Sequence, residues 1–229
     1  MLEQENEQGV RTLVMDRPPL NALTLEGLGM LRKAMEDAAR DSDCVGVVLT
    51  GASGCFTAGI DTKALPAYTR KQQEEAVVEI TRLVIAAYAL DKPLVAALSG
   101  HTIGAGMILM LMADWRVAAR GNFRMGLTEA AAGLPFPVCA LEIVRAELPP
   151  DLGRRLAIGS ATHAIDDPMF GNIIDATVEP AELLPVARSR VRQLAAMPGF
   201  APVKAQYRRE TRARMAAMAR GRDPLLDMI

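Results

Sequence analysis

VGVVLTGASGCFTAGID, residues 45–61, joins a short β-branched run to a glycine-rich turn. Its first six residues, 45–50, have the composition of a strand that is buried on both faces of a sheet. The same arrangement returns downstream, where PLVAALS (93–99) precedes GHTIGAG (100–106) and the apolar run MILMLMA (107–113). A buried strand, a glycine-rich turn and a buried helix that recur along a chain predict the α/β class.

The flanking segments fit the same class. VRTLVM (10–15) has the composition of a strand, and Thr24 precedes a stretch whose apolar side chains recur at helical spacing. Residues 72–90 have a helical pattern, and residues 115–119 read as a further strand. We therefore expect strands and helices to alternate through this part of the chain.

The pattern changes at Glu179, because only helical signals follow it and the charge there comes mostly from arginine. We expect residues 1–178 to form an α/β core and residues 179–229 to form a C-terminal helical region used in oligomerisation. The arginines fit a solvated helix face, and they also fit contacts with phosphate groups or with a second subunit.

Composition and charge narrow the classes of partner. The formal net charge is −1, which gives no argument for nucleic-acid binding. MLEQENEQGV (1–10) lacks the basic and apolar regions of a signal peptide, and the longest apolar run, 107–113, is too short to cross a bilayer. We expect a cytoplasmic protein without a membrane partner.

The metal-binding and disulfide-forming residues are few. Cys44, Cys55 and Cys139 show no CxxC spacing, and the histidines are only His101 and His163. Such sparse cysteines favour a reducing compartment over a disulfide or zinc framework. We predict no metal site.

The two glycine-rich turns are the strongest candidates for a functional site. Backbone N–H groups at a helix start lack helical partners and carry partial positive charge, so two of them aimed at one point could hold an oxyanion. Gly59, Gly104 and Gly106 would let the backbone approach a ligand. Ordinary turn formation explains the same glycines, and neither turn continues as GxGxxG or contains GK[ST].

Four blocks in order resemble segments of the crotonase (enoyl-CoA hydratase/isomerase) superfamily. They are RPPLNAL (17–23), VLTG through FTAGIDTK (48–63), KPLVAA through GHTIGAG to Asp114 (92–114), and GLTEAAAG (126–133). The resemblance implies a spiral of ββα units with a C-terminal helical region. It also implies an acyl-CoA substrate with no separate cofactor, and a homotrimer or a dimer of trimers.

The resemblance also assigns roles to residues of the two turns. The oxyanion-hole N–H groups would come from Ile60 and Ala105. The substrate-binding positions would be Ala58, Asp61, Lys63 and Gly104, with Ala58 and Lys63 beside the CoA nucleotide.

The catalytic acids distinguish reactions within this superfamily. Its hydratases use two glutamates, but this chain has Ile108 at the first position and Glu129 at the second. An isoleucine cannot hold or deprotonate a water, whereas one carboxylate can remove and return a proton. GLTEAAAGLPFP (126–137) is closest in motif to the single-glutamate Δ3,Δ2-enoyl-CoA isomerases. Pro137 stands where dienoyl-CoA isomerases have an aspartate. Farther along, we expect Glu142 and Glu147 to face outward from a helix.

Three hypotheses follow. The first is an isomerase that moves a 3-enoyl-CoA double bond to the 2-position with Glu129 as the proton shuttle. The second is a hydratase or another lyase of the crotonase type, and the third is an acyl-CoA-binding homologue with little turnover.

Overall fold

The computed structural model describes residues 2–52 and 54–227, which contain ten strands and eight helices. The strands are β1 (Leu2–Glu7), β2 (Val10–Met15), β3 (Gly46–Gly51), β4 (Cys55–Thr57), β5 (Leu94–Leu98), β6 (His101–Ile103), β7 (Trp115–Ala119), β8 (Arg124–Gly126), β9 (Thr162–Ala164) and β10 (Ala176–Val178). The helices are α1 (Leu25–Arg40), α2 (Arg70–Tyr88), α3 (Ala105–Leu111), α4 (Val138–Glu147), α5 (Pro150–Gly159), α6 (Leu183–Ala195), α7 (Phe200–Tyr207) and α8 (Arg209–Met218). Ser53, within the first glycine-rich turn, and residues 1, 228 and 229 of the predicted regions lie outside the described residues.

The strands form two sheets, and successive strands alternate between them from β3 to β8. The larger sheet has the order β1-β2-β3-β5-β7-β10, and the smaller has the order β4-β6-β8-β9. From β3 to α4, each repeat therefore contributes one strand to each sheet and then a helix. This arrangement confirms the predicted α/β class and the spiral of ββα units.

The larger sheet is covered on both faces, which explains its apolar strands. Along β3, Val47 and Leu49 pack into the main core, whereas Val48 packs into a second core on the opposite face. Side chains of a strand alternate between faces, so a strand covered on both sides needs apolar residues throughout. Residues of α6, including Ala187 and Val191, complete the second core. This part of the C-terminal helical region thus packs on the α/β core.

Local signals place α1 where the sequence predicts it. The Thr24 side chain accepts a hydrogen bond from Gly27 N at 3.1 Å and so caps the helix. The buried positions Leu28, Leu31 and Met35 lie on one face, as their spacing predicts. Strand β1 has no such signal, because its residues are mostly polar and exposed. Its backbone pairs with β2 in an antiparallel ladder, which any side chain permits.

The expectation that Glu142 and Glu147 face outward is wrong. Glu142 is buried and forms an ion pair with Arg214 of α8. Glu147 accepts a hydrogen bond from the Tyr88 hydroxyl at 2.7 Å and pairs with the Arg116 guanidinium at 2.8 Å. Helical spacing cannot reveal that α8 covers this side of α4, because the contact joins segments far apart in the chain.

One arginine of the C-terminal region is an interior residue. The Arg208 side chain is 5% exposed, and its guanidinium stacks 4.0 Å from the centre of the Tyr88 ring. It also pairs with Asp114 at 3.2 Å, beside Lys204 at 2.7 Å from the same carboxylate. These charged side chains anchor α7 and α8 to the core, so they are not all part of a solvated face.

Candidate active site

A largely apolar cavity of about 210 Å³ lies between α2, α3 and the segment that follows β8. Its polar lining side chains are Thr62, Gln73, Thr128 and Glu129. Its apolar lining includes a continuous face of α2, with Ala76, Val77, Ile80, Leu83 and Val84. A concave apolar space with a few polar groups is the usual form of a small-molecule site.

The two glycine-rich turns meet beside this cavity with their backbones in contact. Gly59 has a φ of +88°, and a Cβ there would lie 2.9 Å from Ile103 O and 3.0 Å from Ala105 N. A Cβ on Gly106 would lie 2.5 Å from Thr57 O. Glycine is therefore required for packing at both points, in addition to the left-handed conformation at Gly59.

The N–H groups of Ile60 and Ala105 carry no hydrogen bond within the described residues. Leu23 forms an isolated parallel β-bridge with Ile60. In this bridge Leu23 N donates to Gly59 O at 2.8 Å and Asp61 N donates to Leu23 O at 2.9 Å, so the N–H of Ile60 takes no part. Ala105 is the first residue of α3, where a helical N–H lacks a partner. Both residues line the cavity. The two N–H groups are thus available to a ligand oxygen.

Glu129 is held in a turn beyond β8. Leu134 N donates to its carbonyl at 2.9 Å, and Gly104 N donates to Gly126 O at 2.9 Å, which ties this segment to the second glycine-rich turn. A Cβ on Gly104 would lie 3.6 Å from Glu129 Oε1, so the carboxylate sits close to the start of α3.

The Glu129 carboxyl is poorly solvated. Burial raises its pKa from 4.5 to about 6, although the N–H groups of Glu129 and Thr128 partly offset that effect. Its Oε2 atom is buried and has no hydrogen-bond partner in the described part of the chain. A carboxyl with a pKa near neutrality can both accept and release a proton under physiological conditions.

Glu129 is the only ionisable side chain among the described residues that line the cavity. Ile108, 4% exposed, also lines the cavity. The described lining therefore offers one group for proton transfer and, at Ile108, an apolar side chain.

The structure brings five of the seven predicted site residues together around the cavity: Ala58, Ile60, Gly104, Ala105 and Glu129. Asp61 and Lys63 are not part of its lining.

Asp61 instead holds the chain in a turn. Its Oδ1 accepts hydrogen bonds from Lys63 N at 3.0 Å and Ala64 N at 3.1 Å, and its Oδ2 pairs with Arg17 at 2.8 Å. Burial raises the pKa of this carboxyl, but the Ala64 and Lys63 N–H groups and Arg17 outweigh it and leave the pKa below its ordinary value. Lys63 is exposed outside the cavity.

Sequence patterns did not identify Gln73, Thr128 or Leu225 as lining residues. Thr128 adjoins Glu129, so its position could have been considered with the same motif. Gln73 occupies a helical position without a distinguishing motif, and its Nε2 donates to Leu65 O at 3.3 Å. Leu225 reaches the cavity from the C-terminal region, and no local signal indicates this.

The fold and the described part of the cavity lining together define an α/β protein of the spiral class, with one buried carboxyl and two free backbone N–H groups at the same cavity. A sequence profile described as enoyl-CoA hydratase/isomerase matches residues 5–226. The chain therefore belongs to the enoyl-CoA hydratase/isomerase family.

Relatives within the family carry both reaction names. A probable enoyl-CoA hydratase of Mycobacterium tuberculosis, EchA17, is 30% identical over 188 residues, which cover 82% of this chain and 71% of that protein. The apo structure of an enoyl-CoA isomerase from the same organism, at 25% identity and a TM-score of 0.85, covers 96% of both chains. Human mitochondrial Δ3-Δ2-enoyl-CoA isomerase has the same fold, with 23% identity, a TM-score of 0.88, and coverage of 99% of this chain and 91% of that one.

No described helix has both the length and the apolar character that a membrane span requires. Within the described residues, no three His, Cys, Asp or Glu side chains are grouped so that they could hold a metal ion.

Proposed function

We propose that this protein is an enoyl-CoA isomerase that moves a 3-enoyl-CoA double bond to the 2-position, with Glu129 as the proton shuttle. The observation that carries the proposal is that Glu129 is the single ionisable side chain among the described lining residues, with Ile108 at the motif position of a second acid. The names of the similar structures fit either reaction, because one Mycobacterium tuberculosis protein is called an enoyl-CoA isomerase in one structure and a probable enoyl-CoA hydratase in another. CoA is part of the substrate, and the proposal requires no separate cofactor.

The proposed reaction uses the two free N–H groups to hold the thioester oxygen. Ile60 N and Ala105 N would donate to this oxygen as negative charge develops on it. Each such donor typically lowers the barrier by about 3 kcal/mol. The first step is removal of a proton from C2 by the Glu129 carboxylate, and it leaves a dienolate.

The second step returns the proton to C4 from the same carboxyl and so moves the double bond into conjugation with the thioester. The carboxyl gives back the proton that it removed, so the reaction needs neither water nor a second acid. A pKa of about 6 suits both directions of transfer, because the carboxyl is neither too weak a base nor too weak an acid.

Water addition has less support from the cavity. It requires a base that holds and deprotonates a water, together with an acid that protonates C2. Ile108 can do neither, and Thr128 and Gln73 are neutral at all relevant pH values. The name of the 30%-identical relative keeps hydration as the alternative that must be tested.

The substrate contacts predicted for Ala58 and Gly104 are part of the proposal, because both residues line the cavity. Asp61 is better assigned to positioning Ile60, since its carboxylate holds the turn that directly follows this residue. Lys63 remains a candidate contact for the CoA nucleotide outside the cavity, where its exposed ammonium group could meet a phosphate.

Assembly into a trimer, or a dimer of trimers, is a further part of the proposal. Apolar side chains are exposed around α7, with Met197 at 49%, Val203 at 63% and Tyr207 at 84%. Exposed apolar groups of this kind are typical of subunit contacts. Sedimentation equilibrium would measure the mass, and a monomer at micromolar concentration would contradict this prediction.

Two substrates separate the functions. Purified protein is incubated with 3-trans-hexenoyl-CoA and, separately, with crotonyl-CoA, and the absorbance of the conjugated enoyl thioester is followed. We expect conjugation to appear with the first substrate and little to be lost with the second. Rapid loss of crotonyl-CoA absorbance would instead identify a hydratase, and binding without turnover of either would identify an acyl-CoA-binding homologue.

Glu129→Gln tests the assigned residue in the same assay. The amide keeps the size of the side chain and removes its basicity, so we expect isomerisation to fall by about 10²–10⁴-fold. Acyl-CoA binding should persist. A variant as fast as the wild type would overturn the mechanism.

A further inference from the structure

One lining residue of the cavity comes from the C-terminal region rather than from the ββα units. Leu225 lies in a single 3-10 turn, Pro224–Asp227, and lines the cavity together with Val77 of α2. Leu225, Leu226 and Val77 form a small apolar cluster that is separate from both main cores. Leu225 and Leu226 are 7% and 6% exposed. Of these two residues, only Leu225 lines the cavity.

The turn is held between two helices that both contribute to the cavity. The Arg70 side chain, at the start of α2, donates to Leu226 O. Asp223 Oδ2 accepts a hydrogen bond from Val138 N, at the start of α4, at 3.0 Å. Its other oxygen, Oδ1, accepts from Leu225 N at 3.0 Å. The turn therefore bridges the starts of α2 and α4, and the Leu225 side chain lies on its cavity side.

The cavity combines a few polar groups with a long wall formed by α2, which is apolar apart from Gln73. The polar groups proposed for the reaction are the Glu129 carboxyl and the N–H groups of Ile60 and Ala105. The lining face of α2 runs from Gln73 to Val84, about 16 Å at 1.5 Å of rise per residue. Val77 lies on this face and packs against Leu225, so an acyl tail that extends along the face to Val77 meets the Leu225 side chain there.

We infer that Leu225 sets the length of acyl chain that the protein accepts, by blocking the apolar end of the cavity between α2 and α4. The inference rests on the proposed function insofar as the cavity holds an acyl thioester. Each methylene of the tail gains burial up to this side chain, and a longer tail must displace it. The substrate class is thus an acyl-CoA of limited chain length.

Leu225→Ala, Leu225→Phe and the matched control Leu226→Ala test this role. Dissociation constants are measured by calorimetry for a series of saturated acyl-CoAs that increase by two carbons. For the wild type we expect about fourfold tighter binding per buried methylene, up to a limiting length. Leu225→Ala should bind the first rejected length about tenfold more tightly than the wild type. Leu225→Phe should lower the limit.

Leu226→Ala removes the same number of atoms from the same turn without opening the cavity, so its length limit should equal that of the wild type. An unchanged limit in both Leu225 variants would overturn the inference, and so would an equal shift in the Leu226 variant. Saturated thioesters cannot be isomerised, so binding reports on Leu225 separately from the reaction. A shifted limit without isomerisation of 3-enoyl-CoAs would refute the proposed function alone, and absence of acyl-CoA binding would refute both.

Discussion

Gly59 lies directly against Ala105, so that a methyl group on Gly59 would come within 3.0 Å of the Ala105 backbone nitrogen. This contact joins the two glycine-rich turns, which are separated along the chain by α2 and β5. It fixes the distance between the N–H groups of Ile60 and Ala105, because both turns are held by backbone packing. The proposed oxyanion hole thus depends on a residue that donates no hydrogen bond to the ligand.

Gly59→Ala should damage this arrangement. The new Cβ would meet Ile103 O at 2.9 Å, and alanine is strained at a φ of +88°. We expect a loss of about 1–3 kcal/mol in the free energy of unfolding, because the left-handed conformation alone costs that much. We also expect kcat to fall by about 10²–10³-fold through displacement of an N–H donor. Urea unfolding and the isomerisation assay measure the two effects.

Gly54→Ala is the matched control for Gly59→Ala. Gly54 also has a positive φ, +69°, but nothing lies within 4 Å of a Cβ there. It should lose stability through the backbone strain and keep its kcat. Equal losses of kcat in the two variants would show that the contact with Ala105 is unimportant.

The pH dependence of the reaction should report Glu129. Proton removal requires the carboxylate form, and burial raises the pKa of this group to about 6. We expect kcat/KM for 3-trans-hexenoyl-CoA to rise about tenfold per pH unit below that value and to level off above it. A profile that is already flat at pH 4.5 would mean that Glu129 is solvated in the working enzyme or is not the base.

The same burial should make Glu129 a cost to stability. A pKa raised from 4.5 to about 6 means that the folded protein holds the proton more tightly than the unfolded chain. The cost is therefore absent below pH 4.5 and complete above pH 6. It amounts to about 2 kcal/mol, at about 1.4 kcal/mol per pKa unit.

Glu129→Gln should remove this cost, since the amide does not ionise. We expect the variant to gain stability relative to the wild type as the pH rises from 4.5 to 7, and the difference to stay constant above that range. Chemical denaturation of both proteins at several pH values would measure it. A stability difference that is the same at pH 4 and pH 8 would contradict the burial of the charged group.

Ile108→Glu should move the cavity toward hydratase chemistry. A second carboxyl near Glu129 disfavours ionisation of both, so the lower limb of the pH profile should shift to higher pH. Together the two acids could hold a water, and we expect measurable loss of crotonyl-CoA absorbance. Ile108→Gln is the control, because it is polar but cannot transfer a proton; hydration by that variant too would argue against a role for the second carboxylate. Circular dichroism would show whether each variant folds.

Much of the core could be predicted from local patterns. The strand at Val10–Met15, the cap at Thr24 and the buried helix that begins at Ala105 all follow from side-chain periodicity and turn chemistry. The three-residue strands such as β4 and β6 are too short to show a period, and they form because each lies beside a neighbour in the smaller sheet.

The candidate site divides in a similar way. Glu129, Ile60 and Ala105 could be predicted from motif positions, and all three line the cavity. Asp61 has the correct motif position, but its hydrogen bonds with the turn and with Arg17 depend on how the chain folds around it. Glu142 looks like a surface residue until α8 packs across it.

The sequence by itself determined the α/β class and the family. It also determined that Glu129 occupies one of the two acid positions of the motif, while Ile108 occupies the other. These properties lie in the types and spacings of neighbouring residues, so they can be read without coordinates. Only the tertiary structure decided that the N–H groups of Ile60 and Ala105 stay free, that Glu129 is desolvated enough to have a pKa of about 6, and that Leu225 lines the cavity. Each of these depends on burial and on contacts between segments that are distant in the chain, and local patterns carry no information about either.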